Sequence, residues 1–277
     1  MKRILVLLCA VALALNASAQ EDCNLQYDGN GDGAVDINDV LGLLSEFASA
    51  CSPCGFESTV TFDGYTYDLI AIGDQCWFAE NLRTEHYTNG DAISANLSDS
   101  EWSTTTSGAV AVYGEDEGCQ NYSPDGDACD PVWSLNEYGR LYNWYAVDDA
   151  RGLCPAGWHV PTDGEWLQLE LELGMTEAQA NSTGWRGTDQ ATQLKTTYGW
   201  YNGGNGTNSS GFSGSPVGYR SSNGFFDTAG FYSYSWSSSP DGFTAWYRNL
   251  YSDLSSVYRG AGNLRSGFSV RCLRDAE

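Results

Sequence analysis

Near the N-terminus, Asp28-Gly-Asn30-Gly-Asp32-Gly33-Ala34-Val35-Asp36-Ile37-Asn38-Asp39 has the spacing of a twelve-residue EF-hand calcium loop. Asp28, Asn30 and Asp32 offer side-chain oxygens at positions 1, 3 and 5. Gly33 permits the sharp turn, Ala34 offers its carbonyl, and Asp36 can hold a water. Asp39 closes the shell with a shorter reach than the usual Glu. The cofactor this pattern implies is Ca2+, a hard cation matched to oxygen donors. Val35 supplies an apolar residue beneath the loop, and Val40, Leu43, Leu44 and Phe47 follow at helical spacing.

The other reactive side chains form no catalytic set. His86 and His159 are the only histidines, and no His-x-x-x-His or second Cys-x-x-Cys accompanies them, so zinc is not expected. Cys51-Ser-Pro-Cys54 lacks a strand-turn-helix setting and reads as two half-cystines rather than a redox pair. No Gly-x-Ser-x-Gly marks a nucleophile elbow. Glu165 is explained by helix capping, and Glu170 and Glu172 by a solvated helix face. No catalytic residue is assigned, and the reading leans against an enzyme. Binding is the stronger expectation. Trp200, Tyr201, Tyr247 and Tyr251 fall among Gly-, Ser- and Asn-rich loops, where exposed rings stack on sugars or grip other surfaces.

Residues 1–19 read as a secretory signal: Lys2 and Arg3, an apolar run from Ile4 to Leu15, and Ala17-Ser18-Ala19 for cleavage. A secreted or cell-surface protein follows, with no later run long and apolar enough to span a membrane. Loss of the signal deepens the net charge from −23 to −25 and leaves Lys195 as the only lysine. Such acidity repels nucleic acid and anionic membrane and suits divalent cations. Cys9 departs with the signal, and the even number of cysteines that remains favours disulfides in an exported chain.

Composition divides the remainder into an acidic segment with one helix at 20–50, a turn-rich cysteine hinge at 51–58, and a large domain at 59–277. Thr59–Phe62 and Tyr65–Ile72 alternate around Asp63-Gly64, a hairpin signal. Residues 114–131, bracketed by Cys119 and Cys129, read as a stapled loop. Thr162-x-x-Glu165 is a capping box for a helix with Trp166, Leu169 and Leu173 on one face and Gly174 at its end. A second short helix begins at Thr176, with Gln179 closing its box. Aromatic strands at 232–238, 245–250 and 268–273 follow. One helical region among many short strands predicts an α+β class.

Two resemblances refine this. Residues 26–48 resemble one repeat of a dockerin. The single repeat, with Ile37 and Asn38 at positions 10 and 11, argues against cohesin as the partner. The blocks Ile72–Arg83, Gly139–Ala146, Leu153–Trp166 and Gly267–Asp275 resemble the Fibrobacter succinogenes major paralogous domain. Shorter similar pieces lie between them, at Gly184-Trp-Arg and Ala245-Trp-Tyr-Arg among others. That family is similar to the C-type-lectin-like fold, so the resemblance implies such a domain, with few helices and many short strands. Trp236 and Trp246, inside family blocks, are expected in the core. Cys154 and Cys272 stand in matching early and late blocks, which implies a bridge between them. Cys119–Cys129 is expected as a local staple, with Cys54–Cys76 and Cys23–Cys51 by elimination and proximity. The expected function is a surface or extracellular module that binds glycan or protein. The alternative is a polysaccharide-degrading enzyme or accessory subunit joined through the dockerin-like segment.

Overall fold

The computed structural model describes residues 37–39, 41–42, 52–115 and 119–275. The chain divides into two compact units between Cys51 and Ser52. In the first, residues 37–39 and 41–42 are helical, and Asp39 is buried. Cys23 and Cys51 lie outside the described residues. No described helix is long and apolar enough to cross a membrane.

The second unit is a strand-rich α+β domain. β1 (Thr59–Phe62) and β2 (Tyr65–Ile72) form the expected hairpin. Its two-residue turn places Asp63 at φ 47° and Gly64 at φ 80°, the doubly positive geometry that suits the right-handed twist of paired strands. β3 (Gln75–Phe78) extends this sheet, and β13 (Leu273–Arg274) enters between β3 and β6 (Trp158–His159). The last strand is therefore interior to its sheet, one in from the β6 edge. A second sheet has the order β10 (Tyr232–Asp241), β11 (Thr244–Tyr251), β12 (Val257–Asn263), β7 (Gly184–Arg186). β12 lies in a stretch the sequence pattern left unassigned. Two further strand pairs are short: β4 (Val110–Ala111) with β5 (Leu141–Tyr142), and β8 (Tyr219–Arg220) with β9 (Phe226–Asp227).

Helices are more numerous than periodicity suggested. α1 (Asp99–Thr104), α2 (Pro131–Tyr138), α3 (Trp144–Val147) and α6 (Gln190–Leu194) are too short to show a full amphipathic repeat. α4 (Asp163–Glu172) and α5 (Glu177–Asn181) carry both expected capping boxes, at Thr162/Glu165 and Thr176/Gln179. Three disulfides close the domain: Cys54–Cys76, Cys119–Cys129 and Cys154–Cys272. The first, with Arg274 donating to the Cys54 carbonyl, attaches the stretch expected as a hinge to this domain from Ser52 onward.

Glu170 corrects the sequence reading. Glu172 is exposed as expected, but Glu170 is 0% exposed. Its carboxylate accepts from Arg186 Nη2 at 2.5 Å and from Arg248 Nε at 2.7 Å. Arg248 Nη1 then reaches Asp163 at 2.7 Å, and Asp163 also takes Arg259 Nη2 at 2.6 Å. Charges this far from water persist only when paired and hydrogen-bonded. The network clamps α4 onto β7, β11 and β12.

Arg271, in the last family block, is also buried, but with no carboxylate partner among the described residues. It donates to Asn81 Oδ1, to the Phe78 and Phe212 carbonyls and to the Ser213 carbonyl, joining the first block to a distant loop. Burial lowers its pKa to about 9. These blocks therefore carry structural work.

His159 ties β6 to the start of α4 and to the C-terminal segment. Its Nε2 lies 2.9 Å from Glu165 and its Nδ1 2.6 Å from Asp275. The Glu165 hydrogen bond, against partial desolvation and with help from Asp275, raises His159 above its ordinary 6.5. Burial alone would raise Glu165, but hydrogen bonds from His159 and Thr162 outweigh it and hold the carboxyl at about 2. Stability from the raised histidine is complete below pH 6.5 and is lost as pH climbs through its folded pKa. Stability from the lowered carboxyl is complete above pH 4.5 and is lost as pH falls towards 2. The melting-temperature gap between the native chain and His159→Gln is thus expected to peak between those two values and to shrink as pH rises through the raised histidine pKa. A gap that stays constant from pH 5 to about pH 9 would remove this role.

Candidate functional site

Alternation in the second sheet sorts its residues into two faces. Pairing sets Trp236, Tyr247 and Gly260 side by side, then Tyr234, Asn249, Tyr258 and Trp185, then Tyr232 and Tyr251, all on one face. Ser233, Ser235, Arg248, Leu250, Val257 and Arg186 share the opposite face. On that side Leu250 and Val257 pack with Trp166, Leu169 and Leu194.

The first face is aromatic. Six rings form a closed circuit: Tyr232, Tyr234, Tyr247, Tyr258, Trp185, Tyr251 and back to Tyr232. Successive centroids lie 5.7, 5.9, 5.8, 5.3, 6.4 and 4.4 Å apart. Asn249 occupies the strand position inside this circuit, opposite Tyr234 on one side and Tyr258 on the other. It is 4% exposed; its amide group interacts with the Tyr234 hydroxyl, while its Oδ1 has no hydrogen-bond partner. An unmet buried acceptor costs about 1–3 kcal/mol. Gly260 belongs to the same construction, since a Cβ there would lie 2.5 Å from the Tyr258 ring.

The circuit grades from core to solvent. Tyr234 and Tyr247 rest on buried Phe268, with centroids 4.9 and 5.1 Å away, whereas Trp185 is 42% exposed. Burial, then the neighbouring phenol of Tyr258, pushes Tyr247 up to about 12. The hydrogen bond to Asp253 leads the rise of Tyr251. The face presents phenol hydroxyls beside one carboxylate, Asp253. Such a surface suits stacking and hydrogen bonding with a polyhydroxylated ligand.

Of the aromatic residues singled out by sequence, Tyr247 and Tyr251 lie in this circuit. Trp200 does not: it is 1% exposed, packed with Trp166 and Leu194, and donates its indole N–H to Thr196. Its Gly-rich surroundings suggested a surface, but those glycines permit close packing instead. Gly204 and Gly206 lie so near Ser252 and Lys195 that a Cβ would collide. Tyr201 is 41% exposed and forms a separate group with Tyr122 and Phe231. Trp236 is buried, and Trp246 is part-buried beneath the Arg259 guanidinium at 4.2 Å. Asp28, Asn30, Asp32, Ala34 and Asp36 lie outside the described residues. Among the residues that are described, no group of three or more His, Cys, Asp or Glu side chains could hold a metal ion.

The sequence profile of the Fibrobacter succinogenes major domain matches residues 70–274. The chain belongs to this family. In this Fibrobacter succinogenes major domain, the match covers the whole second sheet and, of the first, all but β1 and the start of β2. No curated protein and no solved structure matches the chain. Family membership assigns no reaction, so the aromatic face rests on its own chemistry.

Trp185, Tyr232, Tyr234, Tyr258 and Asn249 were not singled out from sequence. A signal existed. Tyr-Ser-Tyr-Ser-Trp at 232–236 and Tyr-Arg-Asn-Leu-Tyr at 247–251 alternate with period two. What periodicity lacks is the register that brings four strands' rings together.

Proposed function

We propose that this chain is an exported binding protein whose domain, read as C-type-lectin-like, holds glycan on its aromatic face. The circuit of six rings around Asn249 carries the reading. Sugar rings offer flat C–H faces for stacking, and the phenol hydroxyls with Asp253 offer hydrogen-bond partners to sugar hydroxyls. Three disulfides fit an extracellular setting. The N-terminal segment would be ordered by Ca2+ held by Asp28, Asn30, Asp32, Ala34, Asp36 and Asp39.

The test is retention of the mature chain on insoluble polysaccharides and on a glycan array. Trp185→Ala and Tyr251→Ala are each expected to weaken binding by about 1 kcal/mol or more, at least fivefold, with little change in melting temperature. Blank arrays, or retention indifferent to both substitutions, sink the glycan reading. Calorimetry with Ca2+ on the same chain checks the metal separately. Binding should vanish in Asp28→Ala/Asp32→Ala, and a native chain that takes up no Ca2+ removes that part.

A further inference from the structure

Beside α2 lies a cleft unrelated to the aromatic face. Two adjoining chambers, of about 300 and 90 Å³, share Glu137, Tyr138, Tyr198 and Ser215 in their walls. The larger adds Asp68, Glu80 and Arg83, and the smaller adds Asp125 and Trp133. Most of these charges are already engaged. Glu80 pairs with Arg83, and Asp125 accepts the Gly199 N–H at 2.6 Å. Glu137 pairs with no basic side chain among the described residues; its neighbour is the Tyr198 hydroxyl, which burial and then this carboxylate push up to about 12.

Two hydroxyls in the walls of the smaller chamber have no partner beyond each other. Tyr138 is 2% exposed; its Oη faces the Ser123 Oγ in the same wall, and neither oxygen makes a hydrogen bond of ordinary geometry. The Trp133 and Tyr198 rings complete the enclosure. The site therefore offers a carboxylate met by a phenol hydroxyl but by no cation among the described residues, two hydroxyl oxygens with no ordinary hydrogen bond, and electron-rich ring faces. Each favours a cation bearing N–H groups.

We infer that this cleft binds a primary alkylammonium group, as carried by a polyamine or a lysine side chain. The ammonium supplies three donors and the positive charge that Glu137 lacks. A neutral sugar supplies only the donors. This inference does not depend on the glycan reading, which concerns another surface and other residues.

The test follows the Trp133 indole N–H in ¹H–¹⁵N spectra of the mature chain during titration with n-butylammonium, cadaverine and Nα-acetyl-lysine methylamide. All three should give a saturable shift that weakens as salt rises. Glu137→Gln should weaken the apparent Kd at least tenfold. Tyr138→Phe should weaken it several-fold while holding or raising the melting temperature, because only a hydroxyl with no ordinary hydrogen bond is removed. Tighter binding of the lysine amide than of cadaverine assigns the ammonium to a protein partner, and the reverse order to a free polyamine; both support the shared chemistry. The inference is overturned if tetramethylammonium, which has no N–H, binds as tightly as n-butylammonium. It is equally overturned if methyl glucoside shifts Trp133 and the ammonium ions do not, or if Glu137→Gln binds like the native chain.

Discussion

Glu170→Ala is expected to remove about 3–5 kcal/mol of folding stability. The carboxylate is wholly buried and answers two guanidinium groups, Arg186 and Arg248. Its loss leaves Arg186 with only its carbonyl partners and Arg248 with Asp163, in a region closed to water. An unpaired buried charge costs far more than the pair had contributed, which sets the size of the effect. The neighbouring control is Glu172→Ala on the exposed side of the same helix, where a change within about 0.5 kcal/mol is expected. Urea denaturation with disulfides intact, followed by tryptophan fluorescence, measures both. A loss under about 1 kcal/mol for Glu170→Ala would show that the network relaxes or admits water, contrary to the geometry.

The second large effect is expected from Cys154→Ala/Cys272→Ala. This bridge closes a sequence separation of 118 residues, against 22 for Cys54–Cys76 and 10 for Cys119–Cys129. On the chain-entropy account its removal costs about 5 kcal/mol, compared with about 3 for the shortest loop. Position reinforces the ranking. Cys272 sits in the core beside β13, the short strand between β3 and β6. With only Leu273 and Arg274 in that strand, backbone pairing alone holds it weakly. Denaturant midpoints of the two double variants should differ in this order. Equal losses, or a larger one from Cys119→Ala/Cys129→Ala, would refute the ranking.

Some features were legible because their signals are local. Asp63-Gly64 requires a turn with two positive φ angles, and the flanking alternation leaves little choice but a hairpin. Thr162 with Glu165, and Thr176 with Gln179, satisfy helix-end N–H groups within four residues of chain. The spacing of Cys119 and Cys129 made a staple across their loop readable in the same way. The family blocks conveyed a strand-rich domain because their aromatic, glycine and arginine positions serve packing, as Arg271 shows.

The aromatic residues returned a mixed result for a physical reason. Trp200 and Trp185 both sit near glycines, yet one is buried and the other emerges to solvent. Burial depends on which segment crosses above a residue, and that partner is distant in sequence. Glu170 illustrates the same limit, since a helix-face pattern does not reveal that two arginines arrive from β7 and β11.

By itself, then, the sequence determined the hairpin, the capped helices, the calcium-type spacing from Asp28 to Asp39 and the family. Each rests on residues close together or on an ordered set of blocks. Tertiary structure alone decided the candidate sites. The ring circuit exists because strand register sets Tyr234, Asn249, Tyr258 and Trp185 abreast. The ammonium cleft exists because α2 packs near the loops at Tyr198 and Ser215. Both are long-range juxtapositions, and local propensity carries no information about them.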